Sequence, residues 1–171
     1  MSGTGRVGRP KASSKETLAE AAAELFLERG FEATSIADIA SRAGVSRSSF
    51  FNYFASKSDI LWAGLDERID ALRSRLDAGE PVRDAVLALG DGFTPESFAL
   101  ATVNAAAMGL ELELEREASL RRARIARTVA DRLARDGADR VSAEVAGAAW
   151  GGAILAALEA WSHDGAGRTS L

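Results

Sequence analysis

The sequence predicts an all-α protein, with a small N-terminal three-helix domain followed by a larger helical domain. Three observations support this fold class. Hydrophobic residues make up 47% of the 171 residues and only three residues are proline, so there is enough apolar surface for a core and little to interrupt helices. Alanine is abundant and runs of β-branched residues are few, which favours helix over strand. Apolar residues also recur at helical spacing along most of the chain.

The first part of the chain reads as a basic arm followed by an amphipathic helix. Residues 1–12 form the predicted flexible arm. This segment contains no acidic residue and three basic ones, Arg6, Arg9 and Lys11. Ser13 and Glu16 have the spacing of a capping box, which predicts a helix from about Ser14 to Arg29. Gly30 would end this helix, because glycine readily takes the left-handed conformation found after a helix.

The next two helical patterns are short and are joined by a tight turn. Ser35 and Asp38 repeat the capping-box spacing, and Gly44 then offers a residue for which positive φ is inexpensive. Ser46 caps a third helix that would bury Phe50 and Phe54. Two helices that cross over a short turn containing glycine form a helix-turn-helix, whose second helix can enter the major groove of DNA. The spacing therefore predicts a DNA-reading motif.

Five further helices are predicted beyond this motif, which makes eight in all. Ser56 and Asp59 give the capping-box spacing a third time and open a long helix to about Leu76. Thr94 caps a later helix, with Pro95 at its first position. The four helices after the long one are predicted over about 82–89, 94–109, 113–135 and 139–162. The predicted units are the arm at 1–12, a helix-turn-helix domain at 13–56 and a C-terminal domain at 57–171.

Composition excludes several classes of function. The chain has no cysteine and a single histidine, His163, so neither a thiolate metal site nor a multi-histidine site is expected, and no cofactor is predicted. The net charge is −4, of which residues 1–60 contribute +1 and the remaining residues −5. The N-terminal part is therefore slightly basic, which is compatible with DNA binding there. The longest uncharged apolar run, 145–158, has 14 residues, fewer than the ~20 that span a bilayer. We expect a soluble, cytoplasmic protein that is not an enzyme.

The first 62 residues resemble the DNA-binding domain of TetR-family transcriptional regulators. The matching stretch, residues 25–61, reads LFLERGFEATSIADIASRAGVSRSSFFNYFASKSDIL. It contains the family's Gly-Phe pair after the first helix, the Thr-Ser pair, the Ala-Gly-Val-Ser turn and the Ser-Lys-x-x-Leu entry to the fourth helix. The resemblance implies a homodimer whose C-terminal domain binds a small molecule and thereby controls binding to double-stranded operator DNA. It further implies a repressor, released from its operator by a small hydrophobic effector.

Within the family, a few residues look like regulators of the mycofactocin-system type. They are the FFNYF segment at 50–54, Asp59 with Ile60, and Trp62. This narrower resemblance implies an effector of the acyl-coenzyme A (acyl-CoA) type.

Two features depart from the family pattern. Phe51 stands where the family usually has tyrosine, so a phenolic contact to phosphate is lost, and Tyr53 stands where histidine is frequent. The chain also stops shortly after its last predicted helix. We expect either a truncated sequence or a dimer interface built from one helix and part of another.

Eight residues are predicted to contact DNA. Arg47 suits guanine and Asn52 suits adenine, because their side chains form bidentate bonds with those bases. Thr34 and Ser35 would offer hydroxyls to a phosphate at a helix N-terminus, and Lys57 would offer a point charge. The remaining predicted contacts on the reader helix are Ser48, Ser49 and Tyr53. The basic arm is also a candidate for the minor groove.

The C-terminal domain carries three less specific predictions. An effector pocket would be lined by Trp62, Leu65, Phe98, Asn104, Met108, Trp150 and Ile154. A basic cluster in the predicted helix over 113–135 consists of Arg121, Arg122, Arg124 and Arg127. It is either a solvated face with ion pairs, such as Glu117 to Arg121 and Arg127 to Asp131, or a site for coenzyme A phosphates. The last helix repeats small residues every four positions, which favours a buried dimer interface; these residues are Ala143, Gly147 and Gly151, and Ala149, Ala153 and Ala157.

The sequence is compatible with two other classes of function. One is a DNA-binding architectural or cell-division protein whose C-terminal domain binds a protein partner. A deep apolar pocket would favour the small molecule, and an exposed apolar patch over a filled core would favour the partner. The other is a small helical enzyme, for which the composition offers only carboxylates.

Overall fold

The computed structural model describes residues 14–164, and within this range the chain forms nine helices and no strand. They are α1 (Ser14–Arg29), α2 (Ile36–Arg42), α3 (Arg47–Phe51), α4 (Asp59–Asp77), α5 (Val82–Gly90), α6 (Glu96–Val103), α7 (Ala105–Met108), α8 (Glu111–Arg135) and α9 (Arg140–Asp164). The predicted all-α class is confirmed for this part of the chain. The basic arm at 1–12 and the predicted cap Ser13 lie outside the described residues.

Helices α1 to α3 pack around a small aromatic core. Phe26 and Phe50 are fully buried, and Phe26 meets Phe31 edge to face with ring centroids 5.1 Å apart. Phe50 lies 5.5 Å from Phe54. Because these rings come from three separate segments, their burial fixes the orientation of α3 relative to the rest of the domain.

The predicted cap of α2 and the turn before α3 are confirmed. The Ser35 hydroxyl accepts a hydrogen bond from the Asp38 amide at 3.1 Å, and the Asp38 carboxylate accepts one from the Ser35 amide at 3.0 Å. The hydroxyl and amide of Ser35 hold the pKa of Asp38 below its usual value. After α2, Gly44 has φ +68°, and Ser46 caps α3 by accepting from the Ser49 amide at 3.2 Å.

Helix α4 connects the N-terminal domain to the rest of the molecule. Its buried residues recur at helical spacing; they are Ile60, Leu61, Trp62, Leu65, Ile69, Leu72 and Leu76. Ser56 and Asp59 form the predicted reciprocal hydrogen bonds, but these close the turn before the helix, which begins at Asp59. At the other end, the Arg132 guanidinium of α8 donates to the Leu76 carbonyl at 3.1 Å, which satisfies a terminal carbonyl of α4.

One helix predicted over 94–109 is instead two, α6 and α7. The Asn104 side-chain amide donates to the Leu100 carbonyl at 2.8 Å, and such local bonds from asparagine compete with continuous helix. Helix α7 then ends at Gly109, which has φ +65°. The predicted cap is also wrong, because α6 begins at Glu96 with Pro95 rather than Thr94 at the cap position.

Helices α8 and α9, each of 25 residues, form a close antiparallel hairpin. Gly147 and Gly151 face the backbone of α8, where a Cβ atom at Gly151 would lie 2.6 Å from the Arg122 carbonyl oxygen. The small residues Ala143, Gly147 and Gly151 therefore serve contact within the chain, and only the second predicted series remains exposed. Among the described helices, α9 alone has the length and hydropathy of a membrane span, and part of it is buried against its neighbours.

Candidate nucleic-acid interface

Helix α3 presents a polar face to solvent on the side opposite Phe50. Arg47, Ser48 and Asn52 are exposed, and Ser49 is half-buried. Asn52 is the C-terminal cap of α3 and Tyr53 follows it, so these two predicted contacts lie at the end of the helix. The structure therefore brings five predicted contacts together within a segment of seven residues.

The serine hydroxyls at the start of α3 bond to one another. The Ser46 hydroxyl lies 2.8 Å from that of Ser48 and 2.9 Å from that of Ser49. Each hydroxyl has both donor and acceptor capacity, so this cluster can exchange one internal bond for a bond to a phosphate or a base edge. The residue that holds the cluster together, Ser46, is also the cap of the helix.

An aromatic ring supports the Arg47 side chain. The Arg47 guanidinium carbon lies 5.8 Å from the centroid of the Phe51 ring, within the range of a cation–π contact. Phe51 is 48% exposed, although it lacks the hydroxyl that would explain exposure of a tyrosine at this position. Phe51 therefore supports a cation at the surface and cannot itself donate a hydrogen bond to phosphate.

Thr34 does not reach the surface as predicted. Its side chain is 1% exposed, and its hydroxyl donates to the Gly30 carbonyl at 2.8 Å. Thr34 thus ties the loop before α2 to the end of α1. Ser35 is exposed, but its hydroxyl is within 2.6 Å of the Asp38 carboxylate, which satisfies it internally.

Lys57 also points inward, which corrects its predicted role as a phosphate contact. Its ammonium donates to the carbonyls of Phe31 and Thr34 and lies 3.9 Å from the Phe31 ring centroid. Partial burial lowers the pKa of Lys57. The side chain therefore fastens the α1–α2 loop to the segment before α4, and its ammonium is bonded to protein carbonyls.

We expect Lys57→Met to lower the free energy of unfolding by about 2 kcal/mol. Methionine keeps the length of the side chain but removes the charged donor from two carbonyls, and hydrogen bonds to charged groups contribute about 1.5–3 kcal/mol. Urea unfolding followed by circular dichroism measures the change. Lys15→Met is the matched control, because within residues 14–164 the Lys15 ammonium is paired with Glu67 at the surface, a type of pair that contributes about 0–1 kcal/mol. Equal effects of the two substitutions would contradict the assignment.

The residues predicted to line one effector pocket are dispersed. Trp62 and Phe98 share the wall of a cleft of about 280 Å³ between α4, α6, α8 and α9, and their ring centroids are 4.6 Å apart. Leu65, Met108 and Ile154 are instead buried in the core. Asn104 lines a separate surface groove, and Trp150 packs against the core from its edge.

Most of the cleft is built from residues that the sequence did not single out for this purpose. They are Thr102, Ala105, Glu111, Leu114, Glu115, Ala118, Leu155, Glu159 and His163, and Arg122 of the predicted basic cluster lies among them. These positions come from four helices, α6 to α9. Those of α8 and those of α9 each recur at helical spacing, but no spacing relates one helix to another. Only the antiparallel pairing of α8 with α9 brings Glu111 near Glu159 and His163.

The basic cluster of α8 is not simply a solvated face. Arg121 is 6% exposed. Its guanidinium is 2.6 Å from both the Asp66 and the Glu117 carboxylates and 4.5 Å from the Trp62 ring centroid. The predicted pair with Glu117 is confirmed, but it is buried, and Arg124 is also paired with Asp66. This network joins α4 to α8 beside the cleft and leaves Arg121 unavailable for coenzyme A phosphates.

Comparison with known proteins identifies the N-terminal domain. Residues 14–63 match the family model described as bacterial regulatory proteins, tetR family. A protein named as the mycofactocin biosynthesis transcriptional regulator MftR of Mycobacterium tuberculosis is 37% identical over 90 residues, which cover 48% of this chain and 46% of that protein.

Two further relatives match part of the chain. The HTH-type transcriptional activator FasR of Mycolicibacterium smegmatis is 34% identical, over 48% of this chain and 41% of the relative. The HTH-type transcriptional repressor KstR2 of Mycobacterium tuberculosis is 41% identical, over 33% of this chain and 28% of the relative. The chain thus spans less than half the length of the relatives it matches. Residues 14–63 therefore form a DNA-binding domain of the TetR family of transcriptional regulators, and a helical C-terminal region follows it.

Proposed function

We propose that the protein binds double-stranded operator DNA as a homodimer in the cytoplasm and is released from it by a small molecule, so that it acts as a repressor. The exposed polar face of α3 carries the DNA-binding part of this proposal. Arg47 and Asn52 stand at opposite ends of a helix whose other side is fixed by buried Phe50. This is the arrangement by which a recognition helix presents side chains to base edges in a major groove.

The exposed side of α9 supports the homodimer. Ala149, Ala153 and Ala157 are exposed there, and Val141 and Val145 are 71% and 65% exposed. A surface of small apolar residues allows a second helix to approach closely. Pairing through this side would set two reader helices at a fixed separation, as required to reach major grooves about 34–36 Å apart.

The cleft beside Trp62 supports a response to a small molecule. Ala105 of α7 lines the cleft, and the Met108 carbonyl at the other end of α7 accepts a hydrogen bond from the Phe31 amide at 2.7 Å. A ligand that displaces α7 would therefore move the loop before α2. Coupling between such sites is typically about 1–3 kcal/mol, which is sufficient to change operator occupancy.

A second candidate function is an architectural DNA-binding protein with a protein partner. The exposed leucines of α8 favour it, because Leu112 is 82% exposed and Leu120 is 57% exposed. The cleft favours the small molecule, and the α9 surface is already explained by a homodimer. We therefore place the ligand-responsive regulator first.

Selection of genomic fragments by the full chain, followed by fluorescence anisotropy with a selected duplex, tests the proposal. We expect two chains per operator, and affinity that falls steeply with salt because phosphate contacts release counterions. A reporter transcribed through that operator should be repressed when the chain is present. Affinity no greater than for a random duplex of equal length would contradict sequence-specific regulation and favour the architectural candidate.

A further inference from the structure

The cleft has an apolar interior of limited size. Trp62, Phe98, Leu114 and Leu155 form its walls, and its volume is about 280 Å³. Pockets for drug-sized ligands are generally about 300–1,000 Å³. The space therefore suits one aromatic ring with a short chain, and the nucleotide part of a coenzyme A would have to lie outside it.

The rim of the cleft carries more acidic than basic side chains. Glu111, Glu115 and Glu159 line it together with Arg122 and His163. Three carboxylates thus outnumber the cationic groups whether or not His163 carries a proton. None of these five side chains forms an ion pair with another residue in the range 14–164, whereas Arg121 and Arg124 nearby are paired. The rim therefore attracts a cation and repels an anion.

One polar group in the cleft wall lacks a partner. Trp62 is 1% exposed, and its indole Nε1–H has no hydrogen-bond acceptor among the described residues. Buried polar groups in native proteins are nearly always bonded. In the described part of the chain, only the Arg121 Nε shares this condition. The indole nitrogen is itself closed off from solvent, so Trp62 offers the cleft the edge of an apolar ring rather than a hydrogen-bond donor.

From the apolar walls and the acidic rim we propose that the cleft binds a compact lipophilic cation: an aromatic body with a protonated amine. The aromatic body contacts Trp62 and Phe98, and the amine lies among Glu111, Glu115 and Glu159. This assignment rests on the proposed ligand response and specifies its chemistry. It places acyl-CoA, whose phosphates are anionic, among the molecules that the acidic rim disfavours.

Isothermal titration calorimetry of the full chain with a matched series of probes tests the assignment. The series is 4-phenoxybutylamine, 4-phenoxybutanol and 4-phenoxybutyrate, which share the aryl ether and differ in charge, with butyryl-CoA as a fourth probe. We expect the amine to bind at least tenfold more tightly than the carboxylate. A variant with Glu111→Gln, Glu115→Gln and Glu159→Gln should lose at least tenfold in affinity for the amine.

A control variant with Asp84→Asn, Asp91→Asn and Glu144→Gln removes the same charge outside the cleft and should bind the amine as the parent chain does. Equal or tighter binding of the carboxylate or of butyryl-CoA would overturn the assignment. So would equal losses in the two variants, or binding of none of the probes. Operator release is measured separately with the same probes. Amine binding without release supports the assignment and contradicts the proposed response, whereas release by the carboxylate alone does the reverse.

Discussion

Gly147→Ala is expected to lower the free energy of unfolding by about 3 kcal/mol. A Cβ atom at this position would collide with the backbone carbonyl of Ala126 and would lie 3.0 Å from the Ala130 Cβ. Neither atom is the end of a flexible side chain, so α8 and α9 must separate to admit the methyl group. Overpacking of a well-packed core costs typically about 1–3 kcal/mol and occasionally more, and backbone contact places Gly147 at the upper end.

Gly152→Ala, on the same helix, provides the matched control. A Cβ atom there meets nothing within 4 Å among residues 14–164, so the substitution should raise stability by up to about 1 kcal/mol through helix propensity. Urea unfolding at several protein concentrations separates the stability of the single chain from any contribution of association. A Gly147→Ala variant as stable as Gly152→Ala would show that the two helices are not held in close contact.

Arg47→Ala and Asn52→Ala are each expected to weaken operator binding by about 5- to 150-fold. A bidentate contact to a base contributes about 1–3 kcal/mol of discrimination, and each 1.4 kcal/mol corresponds to tenfold in affinity. Because Arg47 and Asn52 lie at different ends of the reader segment, the two variants should relax sequence preference at different base positions. Fluorescence anisotropy with single-base operator variants measures both effects.

Arg83→Ala is the control for charge in this experiment. Arg83 is exposed on α5, away from α3, and its loss removes the same positive charge from the chain. We expect operator affinity to change by less than about twofold, since distant exposed charges are largely screened. If Arg83→Ala and Arg47→Ala weakened binding equally, the effect would be one of net charge, and α3 would not be the reader.

The DNA-binding domain was largely predictable because its signals are local. Ser35 and Asp38 are three residues apart, and Gly44 needs only its own backbone freedom. Thr34 and Lys57 were predicted at the surface because hydroxyls and ammonium groups suit phosphates. The same groups suit protein carbonyls equally well. Phe31, whose carbonyl accepts the Lys57 hydrogen bond, is 26 residues away in the sequence, and no sequence spacing predicts such a pair.

The C-terminal domain was less predictable for a related reason. Arg121 and Glu117 were correctly paired from their spacing, but the burial of the pair depends on Trp62 and Asp66 of α4. The break at Asn104 depends on one side-chain bond to Leu100 that an exposed asparagine need not form. The cleft is the extreme case, since its complete acidic rim exists only after the two 25-residue helices α8 and α9 have packed side by side.

The hydrogen bond between the Phe31 amide and the Met108 carbonyl joins backbone atoms only. Side-chain replacement at either residue, other than by proline at Phe31, leaves both bonding groups in the chain, whereas the cleft is lined by side chains. Under the proposed function, the choice of effector and the transmission of its signal are therefore encoded separately. A designer could exchange the residues of the cleft to obtain a biosensor for another small molecule and keep the same output.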